Sequence, residues 1–587
     1  MPEYAATPHP GNAAPHPGIA APHPGIAAPH PGSIASAVSA AVAPDPSIFG
    51  DPRPNAVGRL ALVPHDGCVT ELHARSAPRV IWSGEDLLSV KLPAGTRVVS
   101  SKPPIPGLPN REAAIRYALA NPEGTDPLVA RLRPGMKVTL AIDDVSLPLP
   151  KMRRPDIRES VLTVVLELLA EHGIDDIQIV VANAFHRRIT PAEMEWLVGR
   201  KIFRAFYPDR LLNHDAEAPD GIVELGQTRH GERVRLNRRA AESDLLVYVN
   251  VNLVPMDGGS KSVGVGLGDY GSLQAHHNPA TIRASDSLMD HTRSALTASC
   301  DRIGRIVNQH VNVFHVETVL NNRAFGPESA FLSKPEESFS PLDWAAFHAT
   351  RALLARSPRP VKRKLLHQIS APYEPIAIHA GETFAVHEKT LAYCYAQYCV
   401  PVDSQADVTI AGIPYLSPYN IDSALNPLLV QVMALAYTFH MYRGRPLVRK
   451  NGVMIVTHPL YDEFDADQHP SYVEFFHRLL PETRDAFKLQ HHYEREFSQD
   501  AGYRQLYRTG KAYHGVHPFY MWYWGSHALK HLGRVIVVDG DPRAVKRLGF
   551  KSASTLNDAF EMAEDVVGPQ PTITHVKNPP ILMADVK

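Results

Sequence analysis

The sequence predicts an α/β protein in which two parallel-sheet domains follow a repeat-bearing tail. Three observations carry that reading. β-Branched runs alternate with amphipathic stretches from Lys137 to about Asn252, the alternation returns between Asp407 and about Gly540, and four copies of a Pro-rich tetrapeptide precede both. Such alternation is the pattern of βαβ units, whose parallel strands are joined by crossover helices.

In the tail, Pro-His-Pro-Gly begins at Pro8, Pro15, Pro22 and Pro29. Frequent Pro removes amide donors and Gly raises chain entropy, so residues 1–45 are expected to lack fixed structure. The recurring His9, His16, His23 and His30 suit metal gathering, but a solvated linker is the better reading.

The first domain is expected over 46–330. Strands are predicted at KVTLAID from Lys137, DIQIVVANA from Asp176 and DLLVYVNVN from Asp244. Helices are predicted at DIRESVLTVVLELLAEHG from Asp156 and TPAEMEWLVG from Thr190, where Thr190, Pro191 and Glu193 form a start signal. The second domain is expected over 331–587, with strands DVTIAGI from Asp407, GVMIVTH from Gly452 and RVIVVDG from Arg534, and a helix in SALNPLLVQVMALAYTF. The chain should cross between domains near 315–340, where Gly, Pro and Ser cluster. Both domains are of the Rossmann-like type, with an active site expected between them.

Composition narrows the function. With 60 basic and 61 acidic residues the formal charge is −1, which gives no electrostatic case for nucleic acid or an anionic membrane. Cys68, Cys300, Cys394 and Cys399 have neither disulfide-framework density nor zinc-type spacing, which suits a reducing compartment. No apolar run approaches the ~18 residues of a membrane span, so a cytoplasmic protein acting on a small molecule is expected. Length alone leaves the oligomeric state open.

In open α/β sheets ligands bind beyond the carboxyl ends of the strands. Reactive types gather there: Asp143 and Asp144 after the first strand, His186 and Arg187 after the second, and Asp257-Gly258-Gly259-Ser260-Lys261 after the third. Asn213-His214-Asp215 and His276-His277 complete the set. Each alone has a bland reading as turn, cap or core residue, but their common placement predicts a shared rim. The Gly-Gly-Ser-Lys loop is not a Walker motif, which has Gly directly before Lys, so ATP hydrolysis is disfavoured. Its glycines still permit close approach to a bulky ligand, and a desolvated lysine there is a potential nucleophile.

Six segments in register then resemble the nickel-dependent lactate racemase family. They are Asp143–Pro150, VANAFHR at Val181, NHD at Asn213, NRRAAESDLL at Asn237, GGSKSV at Gly258 and Tyr270–His277. The resemblance covers about residues 130–325, with weaker matches beyond. It implies a nickel pincer nucleotide, a pyridinium mononucleotide with two sulfur arms, joined covalently to Lys261 amid Gly258, Gly259 and Ser260. Nickel would be held by two sulfurs, a ring carbon and His277, with His276 as the fallback. His186 would deprotonate a substrate 2-hydroxyl, with Asp144 and Arg187 beside it, while C2 gives up a hydride reversibly. Trp522 aligns approximately with an active-site tryptophan, with Trp524 close enough to compete. The implied activity is racemisation or epimerisation of a 2-hydroxy acid or related compound, and the implied partners are cofactor-making enzymes.

The pattern breaks in places. The loop NLVPMDGGSK is about four residues shorter than the family's and has lost its second acid-base histidine, leaving Asp257 or Asn252 as substitutes. Leu147, Ser423 and Asn426 stand where the family has an arginine, a glutamine and a lysine, which points to a larger or less acidic substrate, with Lys151, Arg153 or Arg154 as replacement cations. Three other readings stay open: a hydride-transfer enzyme of different outcome, a non-catalytic cofactor carrier, and a two-metal hydrolase built on Asp143, Asp144, His186, His214, Asp215 and His277.

Overall fold

A computed structural model describes residue 65 and residues 67–147 and 150–587, so the Pro-His-Pro-Gly tail lies outside the described residues. The architecture is α/β, with two large sheets in one compact unit spanning Pro46–Lys587.

The first sheet has the order Pro375–Gly381, Val313–Leu320, Leu245–Asn252, Lys137–Asp143, Asp176–Ala182 and Leu211–Asn213. All neighbours are parallel except Pro375–Gly381, which runs against Val313–Leu320. Leu245–Asn252 and Val313–Leu320 are buried at every position, as central strands covered on both faces must be. The second sheet runs Val69–Glu71, Arg97–Ser100, Ile573–Lys577, Ala406–Gly412, Val448–Thr457, Arg534–Val538 and Lys551–Ala553, with one antiparallel pair at the Val69 edge. A three-stranded parallel sheet joins Cys399–Val402, Met583–Val586 and Tyr442–Gly444.

Local signals behave as the sequence suggests. Thr190 accepts from the Glu193 amide while the Glu193 side chain accepts from the Thr190 amide, a capping box that opens the helix Pro191–Phe206. Asp156 caps Ile157–Glu171. The SALNPLLVQVMALAYTF segment is α-helical over Pro427–Val432 and then π-helical over Met433–Thr438.

The expected crossing near 315–340 is corrected. Val313–Leu320, which that expected crossing overlaps, is a wholly buried central strand, because VFHVETVL is rich in β-branched residues and its polar members, His315, Glu317 and Thr318, find partners inside. The sheets also exchange chain segments. Val69–Glu71 and Arg97–Ser100 belong to the C-terminal sheet, and Pro375–Gly381 belongs to the N-terminal one. A cut at 330 therefore separates neither sheet cleanly.

The topology fixes where a ligand fits. Successive strands leave Lys137–Asp143 toward Asp176–Ala182 on one side, and the chain later returns to Leu245–Asn252 on the other. The crevice lies at this reversal, beyond Asp143 and Asn252. The loop after Ala406–Gly412 of the second sheet faces the same space.

Gly381 (φ +134°) joins the edge strand to Glu123, whose amide bonds Ala380 O at 2.8 Å and whose carbonyl accepts from Glu382 N at 2.8 Å. A Cβ there would collide with the Glu123 carbonyl oxygen and lie 2.7 Å from its amide nitrogen. Gly381→Ala should therefore cost about 2 kcal/mol or more, from backbone overlap plus unfavourable φ. Denaturant titration checks this; an unchanged midpoint contradicts the tight junction.

Candidate functional site

The two aspartates ending the strand Lys137–Asp143 have opposite fates. Asp143 accepts from the Tyr248 hydroxyl (3.0 Å), Asn250 Nδ2 (2.7 Å) and the Val251 amide (2.8 Å), yet burial pushes its carboxyl up to about 7. Asp144 is buried too, but His186 opposes that cost and holds it below the usual carboxylate range, helped by Ser146 N at 2.9 Å and Ser146 Oγ at 3.1 Å. Beneath both, the buried Arg158 donates to the Asp143 and Asp144 carbonyls while its other nitrogens bond Asp156 at 2.8 Å. The turn is thereby pinned from below.

His186 Nδ1 lies 2.8 Å from Asp144 Oδ2. With Nδ1 so engaged, Nε2 is the nitrogen left for a ligand. Residues far away in sequence hold the His186 loop. The Tyr507 hydroxyl donates to Ala184 O (2.8 Å), the His514 amide donates to Phe185 O (3.0 Å), and the Phe185 and His514 rings stack at 4.1 Å.

After Leu245–Asn252 the chain turns through Gly258 (φ +90°) and Gly259 (φ +60°) into the helix Gly259–Gly266. A Cβ on Gly258 would stand 2.9 Å from both Glu317 carboxylate oxygens, and one on Gly259 would stand 2.8 Å from the His387 ring. Glu317 Oε1 accepts from Gly259 N at 2.6 Å, and Oε2 bonds Asn252 Nδ2 (3.2 Å) and His387 Nδ1 (3.1 Å). His387 overcomes burial and holds the Glu317 carboxyl down at about 2, and Glu317 in turn raises His387. Lys261, one turn on, has no hydrogen-bond or ion-pair partner among the described residues. Asp257 Oδ2 accepts from Leu253 N and Val254 N at 3.3 Å, and burial raises its carboxyl.

The His276 and His277 rings bond Nδ1 to Nδ1 at 2.6 Å. His277 packs between Tyr520 (5.2 Å) and Trp524 (5.8 Å), and burial with His276 and Lys261 nearby holds it well below the ordinary imidazole range, hence neutral.

These groups share one cavity of about 150 Å³. Asp143, Asp144, His186, Asp257, Gly258, Lys261 and His277 line it from the first sheet, and Tyr419, Tyr437, His517, Tyr520 and Trp524 from the C-terminal half. His517 is the residue that sequence reasoning missed. It heads the helix His517–Trp524, its Nδ1 pairs with the Tyr472 hydroxyl, and its ring centroid is 5.4 Å from that of His186. Burial and neighbouring imidazoles keep it neutral. The one signal available was a histidine opening an otherwise aromatic run, HPFYMWYW.

Other expectations are corrected. Trp522 is core, donating to Arg484 O at 3.1 Å, and Trp524 faces the cavity instead. Arg187 turns back to Glu193 (2.9 Å) because that carboxylate closes the adjacent helix cap. His276 lies behind His277 and does not reach the cavity, so the fallback ligand is a supporting residue. Gly259 acts through its amide, and Ser260 packs against Gly304, away from the cavity. Asn252 bonds Glu317 through Nδ2 and does not line the cavity. Asn426 caps the helix Pro427–Val432, and neither it nor Ser423 lines the cavity. Lys151 stacks on Trp196, Arg154 pairs with Glu159 at 3.7 Å, and neither these nor Arg153 lines it. For the hydrolase reading, His214 bonds Gly268 O (2.8 Å) and Asp215 bonds Arg508 (2.9 Å), both outside the cavity. Among the described residues no three His, Cys, Asp or Glu side chains converge to hold a metal ion by themselves.

Residues 84–289 match the family model of the lactate racemase N-terminal domain. The lactate racemase of Lactiplantibacillus plantarum is 26% identical over 180 residues, which is 30% of this chain and 40% of that protein. That of Thermoanaerobacterium thermosaccharolyticum is 23% identical over 172 residues, 29% of this chain and 38% of that protein. The matched stretch thus spans about two fifths of the curated relatives' length. The solved lactate racemase apoprotein from T. thermosaccharolyticum superposes over 86% of this chain and 100% of its own, with a TM-score of 0.56 at 17% identity, a likeness of fold.

The Glu317–His387 pair has a pH signature. Glu317, depressed to about 2, contributes stability that is present above its unfolded pKa of ~4.3 and lost as pH falls toward 2. His387, raised, contributes stability that is present below ~6.5 and lost as pH rises through its folded value. Glu317→Gln should therefore destabilise by about 3 kcal/mol between pH ~5 and ~6.5, with the gap narrowing on either side. Thermal unfolding of both proteins across pH 3–9 measures it; a pH-independent gap contradicts the pairing.

Proposed function

Because the chain is a divergent member of the lactate racemase family, we propose that it is a nickel pincer nucleotide-dependent racemase or epimerase of a 2-hydroxy acid. The observation that carries this reading is the convergence of Lys261, His277 and the Asp144-linked His186 on one cavity at the topological switch point.

The residues fit such a group. Lys261 has no hydrogen-bond or ion-pair partner among the described residues and follows a glycine turn packed so closely that no side chain fits. His277 spends Nδ1 on His276, leaving Nε2 as a neutral donor of the kind that accompanies sulfur ligands on nickel. Trp524 Nε1 and Asn250 Oδ1 are buried without partners on the cavity wall, as expected of groups awaiting a polar ligand. When bound, the cofactor would supply reversible acceptance of the C2 hydride.

The chain supplies the proton chemistry. His186 Nε2 is the base for the substrate hydroxyl, and the Asp144 carboxylate fixes its tautomer and stabilises the imidazolium formed. His517 takes the second proton position, since its ring lies beside that of His186 and its Nδ1 is already spent on Tyr472. Asp257, the candidate from sequence, lines the same cavity and holds its Oδ2 on two backbone amides. Tyr419, Tyr437, Tyr520 and Trp524 wall the site from water.

Protein co-produced with the cofactor-making enzymes should carry an adduct on Lys261 and about one nickel per chain. Lys261→Ala should abolish both, whereas His277→Ala should keep the adduct and lose most of the nickel. Intact mass and metal analysis decide; an adduct on another lysine sinks the assignment.

His186→Ala should lower turnover by ~10²-fold or more with loading unchanged. His517→Gln should abolish most net interconversion, while C2-hydride removal, followed with each C2-deuterated substrate, is slowed for one stereoisomer more than for the other. Hydride removal slowed equally for both stereoisomers, or for neither, removes His517 from the proton path.

A further inference from the structure

A second chamber of about 230 Å³ lies against the first, behind the same two loops. Along Asp143–Leu147, Asp144 and Ser146 face the first cavity and Val145 faces the second. Along the loop after Ala406–Gly412, Tyr419 lines the first, while Ser417 and Ile421 line the second. Among the described residues, Leu147 alone lines both. Leu147 therefore borders both chambers, and an aliphatic side chain of this kind can change rotamer without breaking a hydrogen bond.

The chamber's character is specific. Its walls are mainly apolar, with Trp196, Leu197, Leu366, Ile369, Leu416 and Ile421. Trp196 is held by its Nε1, which donates to Met152 O at 3.0 Å, and Lys151 Nζ sits 4.2 Å from its ring centroid. The polar groups divide into spent and unspent. Glu193 serves Arg187 and the Thr190 cap, and Arg158 serves Asp156 and two carbonyls. His367 Nε2 is buried without a hydrogen-bond partner among the described residues, and Lys151, whose Nζ rests over the Trp196 ring, has no ion pair among them. Asp422 on the same wall balances the lysine's charge, so an anionic guest is not favoured over a neutral polar one.

We propose that this chamber receives the C2 substituent of the substrate, and that the substituent is an aryl group bearing a hydroxyl. The inference rests on the 2-hydroxy acid reading of the first cavity. The aliphatic walls and the fixed indole suit a ring, and the unpartnered His367 and Lys151 suit a hydroxyl at its far end. The acid and its 2-hydroxyl stay beside His186, and the chain to the ring passes Leu147.

The test uses the full chain, co-produced with the cofactor-making enzymes, and calorimetric binding of four probes: lactate, 2-hydroxy-4-phenylbutyrate, 2-hydroxy-4-(4-hydroxyphenyl)butyrate and gluconate. The phenyl compound should bind about ten- to a hundredfold more tightly than lactate, the gain expected for burying one ring. The ring hydroxyl should add about three- to tenfold. Trp196→Leu should cut the aryl-over-lactate preference by at least tenfold, and His367→Gln should erase the gain from the ring hydroxyl alone. Ile369→Trp, which fills the chamber without removing a wall, should abolish the preference even if Trp196→Leu folds poorly. Equal binding of lactate and the aryl acids, no aryl binding, tightest binding of gluconate, or a preference untouched by Ile369→Trp overturns the proposal. The Lys261 adduct, weighed on the same preparation, keeps the two ideas apart. A missing adduct with an intact, Ile369-sensitive aryl preference defeats the cofactor reading and upholds the chamber; an adduct without the preference does the reverse.

Discussion

Glu317 is the constraint on which the site depends. A carboxylate in a strand buried at every position is costly, and it persists here because three donors converge on it: the Gly259 amide, Asn252 and His387. Those donors come from the next strand over, from the glycine turn and from the helix Thr383–Tyr398. One charged group therefore ties the turn that aims Lys261 to the layer behind it. The two glycines follow from this packing, since any Cβ at 258 or 259 would occupy the space of Glu317 or His387. The loop is not flexible because it is glycine-rich; it is glycine-rich because it is pressed against a buried ion pair.

The same logic explains how adjacent aspartates acquire different chemistry. Asp143 turns inward to neutral donors and is pushed up to about 7, whereas Asp144 meets an imidazole and stays ionised. Arg158 neutralises neither directly; it holds their carbonyls and spends its charge on Asp156. Backbone is fixed by a cation on one side, and side chains are left free to differ on the other.

Much of this was legible in the sequence. The strands at Lys137, Asp176, Leu245, Ala406, Val448 and Arg534 announce themselves by β-branched runs, and the residues at and after the ends of the first three line the cavity. What failed did so for tertiary reasons. Val313–Leu320 hides because His315 and Glu317 interrupt its apolar pattern, and their partners lie elsewhere in the chain. Trp522 and Trp524 are two residues apart on one helix, so no pattern tells which faces the cavity. Arg187 looked functional after a strand, but the capping box beside it claims Glu193 and, through it, the guanidinium.

His517 shows why a site of this kind resists motif reading. It lies 331 positions after His186 in the chain, and what joins them is the packing of Tyr507 and His514 onto Ala184 and Phe185. Those contacts hold the histidine loop of the first sheet against the helical segment that delivers His517. The strand exchange at the chain's ends acts in the same sense, since each sheet contains strands from beyond residue 330 or before it. The two halves are thus secured both at the sheets and across the cavity. Before Gly258 the chain brings Asp257 to one wall, and the opposing wall presents His517; the character of the cavity is set by what faces it, whichever part of the chain supplies it.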